Sequence, residues 1–223
     1  MKTPAERRFR QASAQAVSAK ADPAGVVAGN AYELMLAKLD DDRRRLHSIQ
    51  SVERKIEVKR EILPEYQEWV SGALAGGQGA QDDVLAMVMV WQIDVGDFDR
   101  ALDIAEYVLR HGLTMPDQYQ RSVATVLVDE ISDSALAAAR AGQPYDVQIL
   151  ERLQKLTQDS DMPDQARAKL HKAIGLRYKE CGQYAGAVRE LARALELHDK
   201  AGCKNDLKEA EKLLKEQEAK AST

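Results

Sequence analysis

Carboxylates are the side chains in this 223-residue chain that come closest to a chemical constellation. Asp94, Asp97, Asp99 and Asp103 surround one expected helix turn, and Asp99 and Asp103, four apart, share a helix face from which they could ligate one hard cation. Acidic residues at a helix start more commonly cap it or face water, and that is the role expected of them. Asp40, Asp41 and Asp42 are contiguous, so on a helix they point about 100° apart and do not converge on one ion. His47, His111, His171 and His198 form no HxxxH or HExxH pair and are read as surface or helix-end residues. Cys181 and Cys203 have no ligand partners at metal spacing and are read as packing thiols. Gly72, Gly76, Gly77 and Gly79 superficially resemble a phosphate-cradling loop, but no GxxxxGKS or GxxxxGKT follows and no apolar strand precedes them. The sequence therefore offers no catalytic set, no metal site and no cofactor motif.

Charge is distributed unevenly around a formal net of −4. Residues 1 to 21 hold Lys2, Arg7, Arg8, Arg10 and Lys20 against Glu6, whereas residues 82 to 106 hold seven carboxylates against Arg100. A basic leader neutralises phosphates and releases counterions, and the acidic stretch repels them, so any nucleic-acid contact belongs at the N-terminal end. The alternative is that these basic residues only aid solubility. In the DDDRRR run, residues 40 to 45, carboxylates and guanidinium groups three or four apart neutralise one another, which favours a solvated face over a binding one.

The elements that carry these groups are helical. Hydrophobic residues make up 44% of the chain at helical spacing, and no run approaches the roughly 20 apolar residues that cross a bilayer. The N-terminus lacks the apolar core of a secretory signal, so a cytoplasmic location is expected. Pro4 to Lys20 predicts a short helix with Phe9, Ala12, Ala16 and Ala19 near one face. Asn30 to Leu63 contains no Gly or Pro before Pro64 and predicts one long helix. Met35, Ile49, Ile56, Leu63 and Val70 follow a seven-residue register interrupted by Asp42, with Tyr32, Leu39 and Leu46 as a partial companion row. That seam predicts subunit packing through Leu39, Leu46, Ile49, Ile56 and Leu63. The expected organisation is a basic, partly flexible arm over 1–28, an oligomerisation helix over 29–71, a glycine-rich linker over 72–80 and a helical-hairpin domain over 81–220.

Within that final segment one spacing recurs. Gly96-Asp97-Phe98, Ala101-Leu102, Ala105 and Val108-Leu109 align with Gly182-Gln183-Tyr184, Ala187-Val188, Leu191 and Ala194-Leu195. Each set predicts a helix closed by glycine, an aromatic residue at the turn and a second helix whose small residues let the backbones approach. The fold class is all-α. Ile174 to Leu197, with Gly175, Tyr178, Gly182, Tyr184, Ala187, Ala194 and Leu195, resembles a tetratricopeptide repeat, and Trp91 to Leu109 matches the later half of that signature. Such repeats make protein-binding surfaces, so a helical-repeat scaffold without DNA binding is the alternative reading.

More specifically, the basic start TPAERRFR, the charged helix through Pro64, the stretch WQIDVGDFDRALDIAEYVLRHGLTMP and the repeat-like helical tail resemble the small terminase subunit of tailed bacteriophages, of the gpM type. That resemblance implies a ring-forming, non-enzymatic adaptor in the host cytoplasm. It would recognise double-stranded viral DNA for packaging and deliver it to the large terminase subunit, docking that subunit or the portal. Arg7, Arg8, Arg10 and Lys20 are the expected phosphate contacts. The family is sometimes labelled an endonuclease subunit, and a metal-dependent nuclease built on the Asp94 to Asp103 carboxylates is the weaker alternative. No cofactor and no membrane contact are implied.

Overall fold

The computed structural model describes residues 3–19, 30–116 and 120–221, and every regular element among them is a helix, as the sequence predicts. The chain divides into two compact units, with the boundary between Val123 and Ala124. Unit 1 carries α1 (Pro4–Ala19), α2 (Asn30–His47), α3 (Val52–Ile62), a 3-10 turn (Leu63–Glu65), α4 (Gln67–Gly76), α5 (Asp83–Val95) and α6 (Phe98–Arg110). After α7 (Val123–Arg140), which begins at the boundary, unit 2 carries α8 (Val147–Thr157), α9 (Asp164–Glu180), α10 (Tyr184–Leu197) and α11 (Lys204–Ala221).

The single helix expected over 30–63 is two helices. Ser51 leaves the helical region, with φ −69° and ψ 126°, and its hydroxyl accepts a hydrogen bond from the Arg54 backbone N–H at 3.3 Å. Serine competes with the helical backbone for its own hydrogen bonds, so it can start a new helix without Gly or Pro to announce the break. Arg44, Arg45 and His47 occupy the last turn of α2, where cations complement its exposed carbonyls.

At the centre of unit 1 is α5, whose residues Val84 to Ile93 are all buried. It has no polar face, so α2, α3, the 3-10 turn and α6 pack around it. Trp91 meets the Tyr66 ring edge-on at 5.8 Å. The α5–α6 turn has the predicted closure. Gly96 adopts φ +84°, its N–H donates to the Ile93 carbonyl, and the Asp97 N–H donates to that of Gln92. Asp97 then caps α6 by accepting from the Arg100 N–H, and buried Ala101 and Ala105 allow the close approach. In unit 2 the α9–α10 turn repeats these bonds at Gly182, φ +74°, with Gln183 N–H donating to the Tyr178 carbonyl. There the two helices are so close that a Cβ on Gly175 would fall 2.7 Å from Leu191 Cγ. Ala187, Leu191 and Ala194 of α10 share a buried cluster with Cys203 and Ala210. Arg177, itself buried, donates to the carbonyls of Gln143 and Tyr145 and fastens the α7–α8 connection to α9.

The glycine-rich stretch expected as a linker lies inside unit 1 and is held at several points. Gly72 and Gly76 are helical, within α4. The Gly79 N–H donates to the Tyr107 hydroxyl at 3.0 Å, and Gln81 exchanges hydrogen bonds with the backbone of Thr114. Asp82 is buried, and its carboxylate accepts from the Leu85 N–H as the cap of α5 and from Trp69 Nε1, each at 2.9 Å. Tyr32 stacks on Trp69 at 5.9 Å and its hydroxyl accepts from the Asp83 N–H. Burial pushes the Asp82 carboxyl up to about 6 in spite of these two donors.

Gly96 and Asp82 each lend themselves to a stability measurement. Nothing lies within 4 Å of a Cβ built on Gly96, so Gly96→Ala meets only the backbone cost of a left-handed residue, about 1 kcal/mol, and Gly96→Asn meets less. Urea unfolding of both variants checks this, and a neutral alanine would show that the closure does not need that conformation. Asp82 titrates near 6 when folded and about 3.9 when unfolded, so its contribution to stability is complete below about pH 4 and is lost as pH rises through 6. The difference corresponds to about 3 kcal/mol. Asp82→Asn cannot ionise, so the stability of wild type relative to this variant should fall by roughly that amount between about pH 4 and pH 7. A difference that stays constant with pH contradicts the assignment.

Candidate nucleic-acid interface

The basic leader is helical where it is described. Pro4, preset for a first helical turn, opens α1, and the Arg7 N–H bonds the Thr3 carbonyl at 3.1 Å. The helix packs on α4 and, to a lesser extent, on α2, and Gln15 sits directly against Gly76, where a side chain would collide with it. Arg7 and Arg8 are both exposed. The Arg10 side chain and all of Lys20 lie outside the described residues. Phe9 and Ala12, expected near one face of the helix, are exposed, Phe9 at 73%. The side chains of Ala16 and Ala19, expected near the same face, lie outside the described residues, and Arg7, Arg8 and Phe9 are exposed in succession along α1.

The arginines of the DDDRRR run do not add to this surface. Arg43 pairs with Asp40 at 3.7 Å, Arg44 pairs with Asp41, and Arg45 reaches Glu61 of α3 at 2.8 Å. Exposed pairs of this kind contribute about 0–1 kcal/mol each, so their effect is to neutralise the face. Asp42 departs from the expected solvated run. It is buried, accepts from the Tyr66 hydroxyl at 2.7 Å and pairs with Lys38 at 2.7 Å. Lys38 also lies 4.9 Å over the Tyr66 ring and 3.3 Å from Glu65. Burial first, and then the Asp42 carboxylate, push the Tyr66 hydroxyl well above its ordinary range. The interruption of the apolar register at position 42 was the sequence signal for this inward polar contact.

The residues assigned to subunit packing lie in two settings. Leu39, Leu46 and Leu63 are buried within unit 1, at 2, 7 and 7% exposure. Ile49 and Ile56 are half-buried, in the α2–α3 turn and on α3. They stand near Val52, which is 70% exposed and was not singled out by the register.

The acidic stretch is divided among separate local roles. Asp94 pairs with Lys59 of α3, Asp97 caps α6 and lies 3.5 Å from Arg100, and Asp99 and Asp103 are exposed on α6. Among the described residues no three His, Cys, Asp or Glu side chains gather as a metal ion would require.

In unit 2, His171, read as a surface or helix-end residue, is half-buried in the middle of α9. Its Nδ1 lies 2.7 Å from Glu190 Oε2, in a cluster where Glu190 also accepts from Gln154 and Arg189. Burial opposes the Glu190 charge, but the hydrogen bonds from His171, Arg189 and Gln154 prevail and hold the carboxyl below its usual range. Nearby, Tyr178 donates to Glu151 at 2.6 Å, and burial together with that carboxylate pushes its hydroxyl up to about 12. Cys181 is exposed and Cys203 is buried, and both are free thiols. Among the described residues no helix is long and apolar enough to cross a membrane.

Comparison with known proteins gives this arrangement a context. A family model described as phage small terminase subunit matches residues 36–165. Over 226 residues the chain is 42% identical to "Terminase, endonuclease subunit" of Escherichia phage P2, an alignment covering 100% of this chain and 91% of that protein. It is 27% identical over 191 residues to "Probable terminase, endonuclease subunit" of Haemophilus phage HP1 (strain HP1c1), covering 79% of this chain and 68% of that one. No solved structure matches. With the family model spanning more than half of the chain and a full-length relative 42% identical, this protein belongs to the phage small terminase subunit family.

Proposed function

We propose that the chain is the DNA-recognition and adaptor subunit of a terminase. In this role it binds double-stranded viral DNA for packaging in the host cytoplasm and delivers it, as a ring-shaped multimer, to the large terminase subunit or the portal. The observation that carries the DNA-binding part is the exposed Arg7–Arg8 pair on a docked helix, in a chain whose other described arginine run is neutralised by its own carboxylates. Guanidinium groups held on a helix meet phosphate oxygens at a fixed spacing, with less entropy lost than from a free arm. Arg10 and Lys20 extend the same basic leader in sequence. Repetition of one weak cationic contact around a multimer turns it into a strong one. The helical hairpins of unit 2 are the surfaces offered to the large subunit.

The names of both relatives favour a second reading, cleavage of DNA by this subunit. It requires a divalent cation at carboxylates such as Asp99, which is exposed and makes no cap.

Fluorescence anisotropy with phage duplex and with unrelated duplex of equal length, over a salt series, tests the first reading. The double variant Arg7→Ala/Arg8→Ala should weaken binding and flatten the slope of log affinity against log salt by about two per chain engaged, at roughly 0.9 for each phosphate no longer neutralised. An unchanged affinity and slope remove α1 from the mechanism. Cleavage that appears with Mg²⁺ or Mn²⁺ and disappears in Asp99→Ala would establish the second reading.

A further inference from the structure

Among the described residues the large apolar side chains most open to solvent are Phe9, Leu34 and Val52, at 73, 72 and 70%. Their charged neighbours differ. Two residues after Val52, Arg54 is engaged by Glu57 and Glu61, and one helical turn after Leu34, Lys38 is engaged by Asp42 and Glu65. Phe9 instead follows two exposed guanidinium groups, Arg7 and Arg8, that meet no carboxylate among the described residues. It is the one aromatic residue of α1, and it is turned outward on a helix that docks on α4. Ala5 and Ala12, four before and three after it, are its neighbours along the helix surface and are exposed as well. Neither extends beyond Cβ, so the ring stands clear of the helix next to two cations.

We infer that Phe9 inserts between adjacent base pairs of the duplex that Arg7 and Arg8 hold, partly unstacking them. The inference rests on the DNA-binding reading above and assigns to the same helix a residue that senses sequence. A base stack is an apolar slot with phosphates along its rim, and an aromatic ring beside unpaired guanidinium groups is the complement of that combination. Guanidinium groups on phosphates fix position but carry no sequence information. An apolar wedge does carry it, because the cost of opening a base step depends on which step is opened. Pyrimidine–purine steps, TA and CA/TG, unstack most readily, so α1 favours duplexes that place such a step under Phe9. The ring leaves water in the same event and lies against base faces, which gains affinity without any hydrogen bond to a base edge.

Two short duplexes that differ only in a central TpA or ApA step, each with 2-aminopurine replacing the 3′ adenine of that step, test it on the full chain. The fluorescence of 2-aminopurine rises when the base is unstacked, and anisotropy over a salt series gives affinity and slope. Wild type should raise the fluorescence and bind the TpA duplex more tightly. Phe9→Ala should lose both effects and about tenfold in affinity with the salt slope unchanged, whereas Arg7→Ala/Arg8→Ala flattens the slope. Phe9→Tyr, which keeps a ring, should restore the fluorescence rise. Phe9 is exposed, so thermal unfolding of both single variants should stay close to that of wild type. A Phe9→Ala protein with wild-type affinity and fluorescence overturns the insertion while leaving the arginine contacts standing. Loss of affinity together with a lower mass in light scattering would assign Phe9 to a contact between copies and also overturn it. A wild type without duplex affinity overturns both readings.

Discussion

A helix without a polar face has to be enclosed, and α5 imposes that requirement on unit 1. From Val84 to Ile93 every side chain is buried, including Gln92. The helices α2, α3 and α6 and the 3-10 turn pack on α5, and Leu39, Leu46 and Leu63 are buried in the same unit. Of the apolar register along α2 and α3, Leu39, Leu46 and Leu63 are core in the single chain, whereas Ile49 and Ile56 stay half-buried. The large apolar side chains left most exposed among the described residues are Phe9, Leu34 and Val52.

The enclosure also determines where polar groups are buried. Asp82 starts α5 at the edge of the core, and its carboxylate serves both the helix terminus and Trp69. The arrangement satisfies two donors that would otherwise be orphaned away from water. Its electrostatic cost is visible in the raised carboxyl pKa. Asp42, Tyr66 and Lys38 form a similar set across α2 and the start of α4, with Lys38 lying over the ring it helps to bury. Through Tyr107, Gln81 and Asp82 the glycine-rich segment is fixed against α6, the residues beyond it and α4. Glycine there serves close packing, as Gly77 shows, since a Cβ at that position would collide with the Tyr107 hydroxyl.

Unit 2 reaches the same turn geometry with different side chains. Gly96 and Gly182 close their helices with the same pair of backbone bonds, yet Asp97 caps the next helix with its side chain and Gln183 does not. The α9–α10 contact depends instead on the absence of a side chain at Gly175 opposite Leu191. Around it lies a polar layer, His171 with Glu190 and Tyr178 with Glu151, that has no counterpart among the described contacts of the α5–α6 pair. The recurrence is therefore a shared backbone device, with each hairpin packed according to its own sequence.

Helical class, the glycine closures at 96 and 182, the Pro64 break and the i,i+3 neutralisation of Asp40 and Asp41 were all legible in the chain, because each depends on residues within a turn or two of one another. The basic leader was equally legible as charge. Residue spacing could not say that the leader docks on α4, because that contact joins positions about sixty residues apart. The break at Ser51 rested on a single hydroxyl competing with an otherwise continuous pattern. The inward turn of Asp42 and Asp82, and the burial of the α2 register, depended on which helices became neighbours. Local sequence sets the helices and their ends, whereas the tertiary structure chooses which apolar face is covered, since burial is a property of what stands opposite a side chain and not of the side chain alone.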